Sequence, residues 1–222
     1  MRPCAVLFDF DGVIVNSLAY HLDAWQKAVD WHFGQALSVE LARRITGHAT
    51  QVIGGMLATH FSAPEKAAAL ADTKRRFLVE DGHGIHLLPG VSEVFALLKA
   101  NGVPFGVASN APRAYITSLM VSHGLSAPVV MGIEDAGAPK PSPDPYLVCA
   151  QRLGVSAVDF ARTLVFEDSV HGLTAGLNAG MAAIGVTTEN SAETLLDAGA
   201  IATCADLSEA MAKGWFERVP GA

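Results

Sequence analysis

Short apolar runs alternate with helical patterns along most of the chain. Each run is nearly continuous in hydrophobicity and is bounded by turn residues, as is typical of parallel strands buried on both faces. The runs occupy residues 4–8, 104–108, 129–131, 163–166 and 182–186. Helical patterns lie between the later runs, at residues 91–101, 114–123, 144–153 and 170–179. The alternation predicts an α/β fold built on a doubly wound parallel sheet.

One long interval breaks this alternation. Between residues 17 and 84 there is no strand pattern, and apolar residues recur at three- and four-residue spacing, which predicts helices. A stretch of roughly 65 residues is too long for a simple crossover between two strands. We therefore predict a core domain formed by residues 1–15 and 85–222, with residues 16–84 inserted as a small α-helical cap domain.

Composition narrows the class of protein. The chain has 222 residues, of which 50% are hydrophobic and 17% are charged, so it can bury a sizeable core. Its net charge of −7 argues against nucleic-acid binding, which needs a basic face. We find neither a secretion signal nor an apolar run long enough to cross a membrane. We therefore expect a soluble cytoplasmic protein without a membrane partner, and a monomer as the default state.

Polar residues with catalytic potential follow several of the predicted strands. In an open parallel sheet, ligands bind beyond the carboxyl ends of the strands, so these residues should converge at one edge. They are Asp9 and Asp11, Ser109 and Asn110, Lys140 in the loop "GAPKPSPDPY", and Glu167 with Asp168. Clustered carboxylates repel one another and are costly to desolvate unless a cation lies among them. Oxygen ligands of this kind suit Mg²⁺, which could also hold a phosphate group.

The spacing of the first two acids indicates a reaction. Side chains at positions i and i+2 point to the same side of an extended backbone, so Asp9 and Asp11 can flank one reacting centre. Asp9 would be a nucleophile that forms an aspartyl-phosphate, and Asp11 a general acid and then a general base. Lys140 and Ser109 would hold phosphoryl oxygens. Gly12 would let the backbone turn closely around the anion.

Four motifs resemble those of the haloacid dehalogenase superfamily. They are "DFDGVIVNS", "VASN", "KPSPDPY" and "LVFEDSVHGLTAGLNAGM", in that order along essentially the whole chain. The resemblance implies a Rossmann-like core, a mobile cap and Mg²⁺-dependent phosphoryl transfer. It also implies that Asp9, the backbone carbonyl of Asp11, and Asp168 bind the metal, and that Glu167 supports it directly or through water. Asp11 favours phosphate esters as substrates, because family members that break carbon–halogen bonds lack this second acid.

The helical insert resembles the cap of the β-phosphoglucomutase-like and phosphoglycolate phosphatase-like group. On that resemblance His21 and Lys74 are candidate substrate-binding residues, and an ordinary structural role in the helix is the alternative for each. β-Phosphoglucomutases carry a cap arginine that grips a second phosphate, and Thr50 stands at that position here. An arginine fork binds phosphate better than a threonine hydroxyl can, so the sequence favours hydrolysis over mutase chemistry.

The sequence therefore predicts a Mg²⁺-dependent phosphatase that acts on a small phosphorylated metabolite, such as a sugar phosphate or phosphoglycolate. Asn110, Gly12 and Thr50 complete the predicted substrate site. One alternative is a phosphomutase that interconverts hexose phosphates. Another is a protein that binds phosphorylated metabolites without turnover, which would not need both a nucleophile and a second acid.

Overall fold

The structure, a computed structural model, describes residues 2–81 and 84–220. These residues divide into two compact units. The first contains the described residues up to Asn16 and from Leu87 onward, and the second lies within Ser17–His86. Across the described ranges, none of the helices combines the length and the hydrophobicity that a membrane span requires.

The first unit is built on a six-stranded parallel sheet with the order β3-β2-β1-β4-β5-β6. The strands are β1 Ala5–Phe8, β2 Phe105–Ala108, β3 Val129–Met131, β4 Thr163–Glu167, β5 Ala182–Val186 and β6 Ala202–Cys204. The chain moves outward from β1 to β3, returns to β4 beside β1, and then moves outward again. This reversal between β1 and β4 creates the crevice in which ligands of such folds bind. The predicted doubly wound α/β sheet is confirmed.

Alternate residues of the central strands pack on opposite faces of the sheet, as the two-residue period of a strand requires. Leu7 and Val165 belong to a buried cluster that includes Tyr146 from a neighbouring helix. Phe8 stacks against Phe166 on the other face, with ring centroids 5.5 Å apart. Because both faces are covered, the strands carry continuous apolar runs instead of an alternating pattern.

Helices flank this sheet in the first unit. They are α5 Val91–Ala100, α6 Arg113–Ser122, α7 Asp144–Arg152, α8 Val170–Asn178, α9 Ala192–Asp197 and α10 Leu207–Ala212. The sequence pattern did not predict α9, α10 or β6. Each of these elements is short, so periodicity gives little signal. Both helices nevertheless begin at a capping side chain: Ser191 accepts a hydrogen bond from the Thr194 N–H, and Asp206 accepts one from the Glu209 N–H.

The second unit is helical. Its helices are α1 Leu18–Phe33, α2 Val39–Ile45, α3 Thr50–His60 and α4 Ala67–Asp81. They enclose a separate apolar core that contains Trp25, Leu57 and Leu70. Phe33 and Phe61 stack at the edge of this core with ring centroids 4.7 Å apart. A unit with its own core can hold its shape independently of the sheet.

Candidate active site

The chain turns sharply as it leaves β1. Asp9 is the first residue after the strand, and its N–H still bonds to the Phe166 carbonyl of β4 at 3.0 Å. Gly12 then adopts a φ of +75°, and its N–H bonds to the Val15 carbonyl at 2.9 Å. A Cβ atom on Gly12 would lie 1.7 Å from Oδ2 of Asp168. Only glycine therefore allows the loop after β1 to approach the end of β4 this closely.

The side chain of Lys140 bridges two carboxylates, one just after β1 and one at the end of β4. Its ammonium donates to Oδ1 of Asp9 at 2.7 Å and to Oε1 of Glu167 at 2.6 Å. The Lys140 side chain is only 4% exposed. Burial alone would lower the pKa of Lys140, but the charges of Asp9 and Glu167 outweigh burial and raise it. The side chain therefore remains a cation at neutral pH, as binding of a phosphoryl oxygen would require.

Asn110 holds the backbone of Lys140. Its side-chain oxygen accepts the Lys140 N–H at 2.9 Å, and its side-chain amide donates to the Lys140 carbonyl at 3.3 Å. Ser109 lies next to it at the end of β2, is almost fully buried, and accepts the Ala111 N–H at 3.1 Å. These two hydrogen bonds fix the backbone of Lys140 against Asn110. The substrate contacts predicted for Ser109 and Asn110 remain predictions.

Asp11 has a neighbour that the sequence analysis missed. The hydroxyl of Tyr115 in α6 donates to Oδ1 of Asp11 at 3.3 Å. The Tyr115 ring also packs edge-on against Phe10, with centroids 5.9 Å apart. Tyr115 lies six residues beyond Ser109, and no sequence signal relates it to the loop after β1.

The end of β5 adds a second group of missed residues. The hydroxyl of Thr188 donates to the Gly12 carbonyl at 2.6 Å. The amide of Asn190 donates to the Asp168 carbonyl at 2.8 Å. Burial, followed by repulsion from Glu167 and Asp11, raises the pKa of Glu189 to about 7. The sequence did hold a signal for these residues, because they closely follow the strand predicted at residues 182–186.

Three acidic side chains form a candidate metal centre. Carboxylate oxygens of Asp9, Glu167 and Asp168 all lie within 4.8 Å of one another. Burial and the charge of Glu167 raise the pKa of Asp9 to about 7. Burial and the charge of Asp9 raise the pKa of Asp168 well above its usual range. Negative charge thus accumulates here beyond what Lys140 balances, and these hard oxygen donors fit a divalent cation such as Mg²⁺.

The predicted cap residues all lie in the helical unit. The Nζ atom of Lys74 is 2.8 Å from Nδ1 of His21 and 5.7 Å from the centroid of the Trp25 ring. Lys74 and Trp25 are both buried, at 2% exposure each. Thr50 is the half-buried first residue of α3. The substrate contacts predicted for His21, Lys74 and Thr50 remain predictions.

The chain is similar to known proteins in sequence and in fold. Residues 5–180 match the family of haloacid dehalogenase-like hydrolases. The chain is 27% identical to validoxylamine A 7'-phosphate phosphatase of Streptomyces hygroscopicus, over 86% of this chain and 89% of the relative. It is 30% identical to the β-phosphoglucomutase of Bacillus subtilis, over 82% of each chain.

A solved structure covers nearly the whole chain. It is a family hydrolase from Deinococcus radiodurans with bound phosphate and sodium, 29% identical in sequence, with a TM-score of 0.74 over 98% of each chain. The resemblance that the motifs indicated is thereby confirmed. The chain belongs to the haloacid dehalogenase-like hydrolases, in the group that includes the β-phosphoglucomutases, and is an enzyme of the phosphatase or phosphomutase type.

Proposed function

We propose that the protein is a Mg²⁺-dependent phosphatase that hydrolyses a small phosphomonoester through an aspartyl-phosphate on Asp9. The observation that carries the proposal is the buried contact between Asp9 and the Lys140 ammonium, beside Glu167 and Asp168. A nucleophile, a cation and metal-binding oxygens then lie together at the switch point of the sheet. A phosphatase among the relatives and a related structure with bound phosphate support this reading.

The proposed reaction has two steps. A carboxylate oxygen of Asp9 attacks the phosphorus atom, the bond from phosphorus to the ester oxygen breaks, and Asp11 gives a proton to the leaving alkoxide. Asp11 then takes a proton from a water molecule, whose oxygen attacks the same phosphorus. The bond to Asp9 breaks, which releases inorganic phosphate and regenerates the carboxylate. Lys140 and Ser109 hold phosphoryl oxygens as negative charge builds up on them.

Asp9 and Asp168 would hold Mg²⁺ together with the backbone carbonyl of Asp11, and Glu167 would support the ion directly or through water. When bound, the cation neutralises these carboxylates and polarises the phosphoryl oxygens. Gly12 keeps its backbone close to Asp168, and Asn110 keeps Lys140 directed at Asp9. Thr50, His21 and Lys74, which lie in the helical unit, are proposed to select the substrate.

A phosphomutase is the second candidate, and the relative from Bacillus subtilis is the observation that favours it. Such an enzyme must hold a bisphosphate intermediate by its second phosphate. Thr50 provides a hydroxyl where a guanidinium would do this better. We therefore place hydrolysis first.

The test is a screen of phosphorylated metabolites for phosphate release, with and without Mg²⁺. We expect Mg²⁺-dependent turnover, and a loss of roughly 10³-fold or more in Asp9→Asn, because the nucleophile is removed. Asp23→Asn, an exposed change within α1, is the matched control and should keep full activity. Interconversion of sugar phosphates without net phosphate release would favour the mutase, and binding without any turnover would contradict both enzymes.

A further inference from the structure

Tyr146 is a fully buried tyrosine at the centre of the site. It lies in the first turn of α7 and belongs to the apolar cluster under the sheet. Its hydroxyl donates to Oε1 of Glu167 at 2.6 Å. Its ring lies beside the Lys140 ammonium, with Nζ 4.7 Å from the ring centroid. One side chain thus contacts both partners of the buried ion pair.

The carboxylate of Glu167 is held from several sides. Oε1 accepts from Lys140 and from Tyr146, and Oε2 accepts from the Ser169 hydroxyl at 3.1 Å. A Cβ atom on Gly172 would lie 1.8 Å from Oε1, so the backbone of α8 also closes on the group. Glu167 itself has no exposed surface. The carboxylate therefore cannot rotate without breaking buried hydrogen bonds, whose loss would destabilise the folded protein.

The position of Lys140 depends on a balance between two carboxylates. Its ammonium has three N–H donors, and Asp9 and Glu167 take two of them. If Glu167 lost its other donor on Oε1, the full charge of that oxygen would act on Lys140. The ammonium would then be drawn towards Glu167 and away from the reacting centre. The phenol of Tyr146 reduces this pull, and its ring face stabilises the cation where it lies.

We propose that Tyr146 is a positioning residue for Lys140, acting through its hydroxyl bond to Glu167. The inference rests on the proposed function, in which Lys140 grips a phosphoryl oxygen. Because Tyr146 is fully buried and bonds to Glu167, its hydroxyl acts on Lys140 through that carboxylate. A phenylalanine would fill the same apolar space, so the hydroxyl alone is what the site requires at this position.

The test compares Tyr146→Phe with Thr163→Val. Thr163 is also fully buried, and its hydroxyl donates to the Asp159 carbonyl at 3.3 Å, but it lies at the opposite end of β4 from Glu167. Both variants lose one buried hydroxyl and keep the shape of the side chain. We would measure kcat, and also the affinity for inorganic phosphate by calorimetry in the presence of Mg²⁺. The unfolding temperature of each variant would be recorded alongside.

We expect Tyr146→Phe to lower kcat and phosphate affinity by about tenfold each, as loss of a hydrogen bond to a charged group would. Thr163→Val should change neither. In a Glu167→Gln background, Tyr146→Phe should cost less than threefold, because its route of action has been removed.

Three results would overturn the inference. They are a Tyr146→Phe enzyme equal to the wild type in both measurements, a parallel loss in Thr163→Val, and a further full tenfold loss in the Glu167→Gln background. Failure of the proposed function would look different, because no ester would then be hydrolysed by the wild type. The phosphate titration would still decide the role of Tyr146 in that case.

Discussion

The two units each bury a lysine, and the two lysines are held in different ways. Lys140 in the core unit lies between the carboxylates of Asp9 and Glu167, at 2.7 and 2.6 Å. Lys74 in the helical unit contacts Nδ1 of His21 at 2.8 Å and the face of the Trp25 ring.

The difference between these contacts indicates which role each lysine can have. Burying a charge is costly unless it is compensated, and two carboxylates compensate Lys140 so fully that its pKa is raised. Lys140 is therefore a buried cation of the core unit that lies beside Asp9. The contacts described for Lys74 are with the His21 imidazole and the Trp25 ring, both within the helical unit. We propose that Lys74 helps to select the substrate, because it belongs to the helical unit, whereas Asp9 and Lys140 belong to the core unit.

The strongest test of this comparison is to remove the charge of Lys140. We expect Lys140→Met to lower kcat by roughly 10²- to 10³-fold towards every substrate, because charge on the phosphoryl oxygens is no longer stabilised. Glu167 would also be left buried without its cation, which should lower the free energy of unfolding by about 3 kcal/mol. Steady-state kinetics and denaturant unfolding measure the two effects. Activity within tenfold of the wild type would contradict the role of Lys140.

Removal of the cap lysine should have a smaller and more selective effect. We expect Lys74→Met to lower kcat/KM by about tenfold for the preferred metabolite, as loss of one specific contact does. The small artificial substrate p-nitrophenyl phosphate should be hydrolysed almost unchanged. The exposed Lys27→Met serves as the matched control in α1. If Lys74→Met lost activity equally towards both substrates, the contrast between the two lysines would be wrong.

The smallest expected effect concerns the acids around Lys140. Burial and Glu167 raise the pKa of Asp9 to about 7, whereas an aspartate in the unfolded chain has a pKa of about 4. The metal-free folded protein therefore holds a proton that the unfolded chain has lost, and its stability falls as the pH rises from about 4 to 7. Mg²⁺ relieves the repulsion but must displace that proton at low pH.

We therefore expect saturating Mg²⁺ to raise the unfolding temperature by roughly 5 °C at pH 8. At pH 5.5 the rise should be less than half as large. Thermal unfolding with and without Mg²⁺ measures it, and Asp9→Asn should reduce the rise at pH 8. Equal stabilisation at both pH values would show that Asp9 does not exchange a proton for the metal.

The residues that follow the predicted strands include much of the candidate site. Asp9 and Lys140 are 131 residues apart in the chain, yet both follow predicted strands and their side chains meet at 2.7 Å. The same reasoning applied to the end of β5 would have found Thr188. Strand ends do not reach Tyr146, which lies within α7 as the last residue of the motif "KPSPDPY". The motif marks the position, but a buried tyrosine in a helix resembles ordinary core, so its bond to Glu167 could not be predicted.

By itself, the sequence determined the α/β class, the helical insert and the set of acids that gather at one sheet edge. Hydrophobic period and strand ends are local properties, so they can be read from neighbouring residues. Only the tertiary structure decided which partner each charge has. Lys140 lies between two carboxylates, Tyr146 shares one of them, and Gly12 passes where no Cβ would fit beside Asp168. Such contacts join residues far apart in the chain at separations of a few ångströms, and no local pattern encodes distances of that kind.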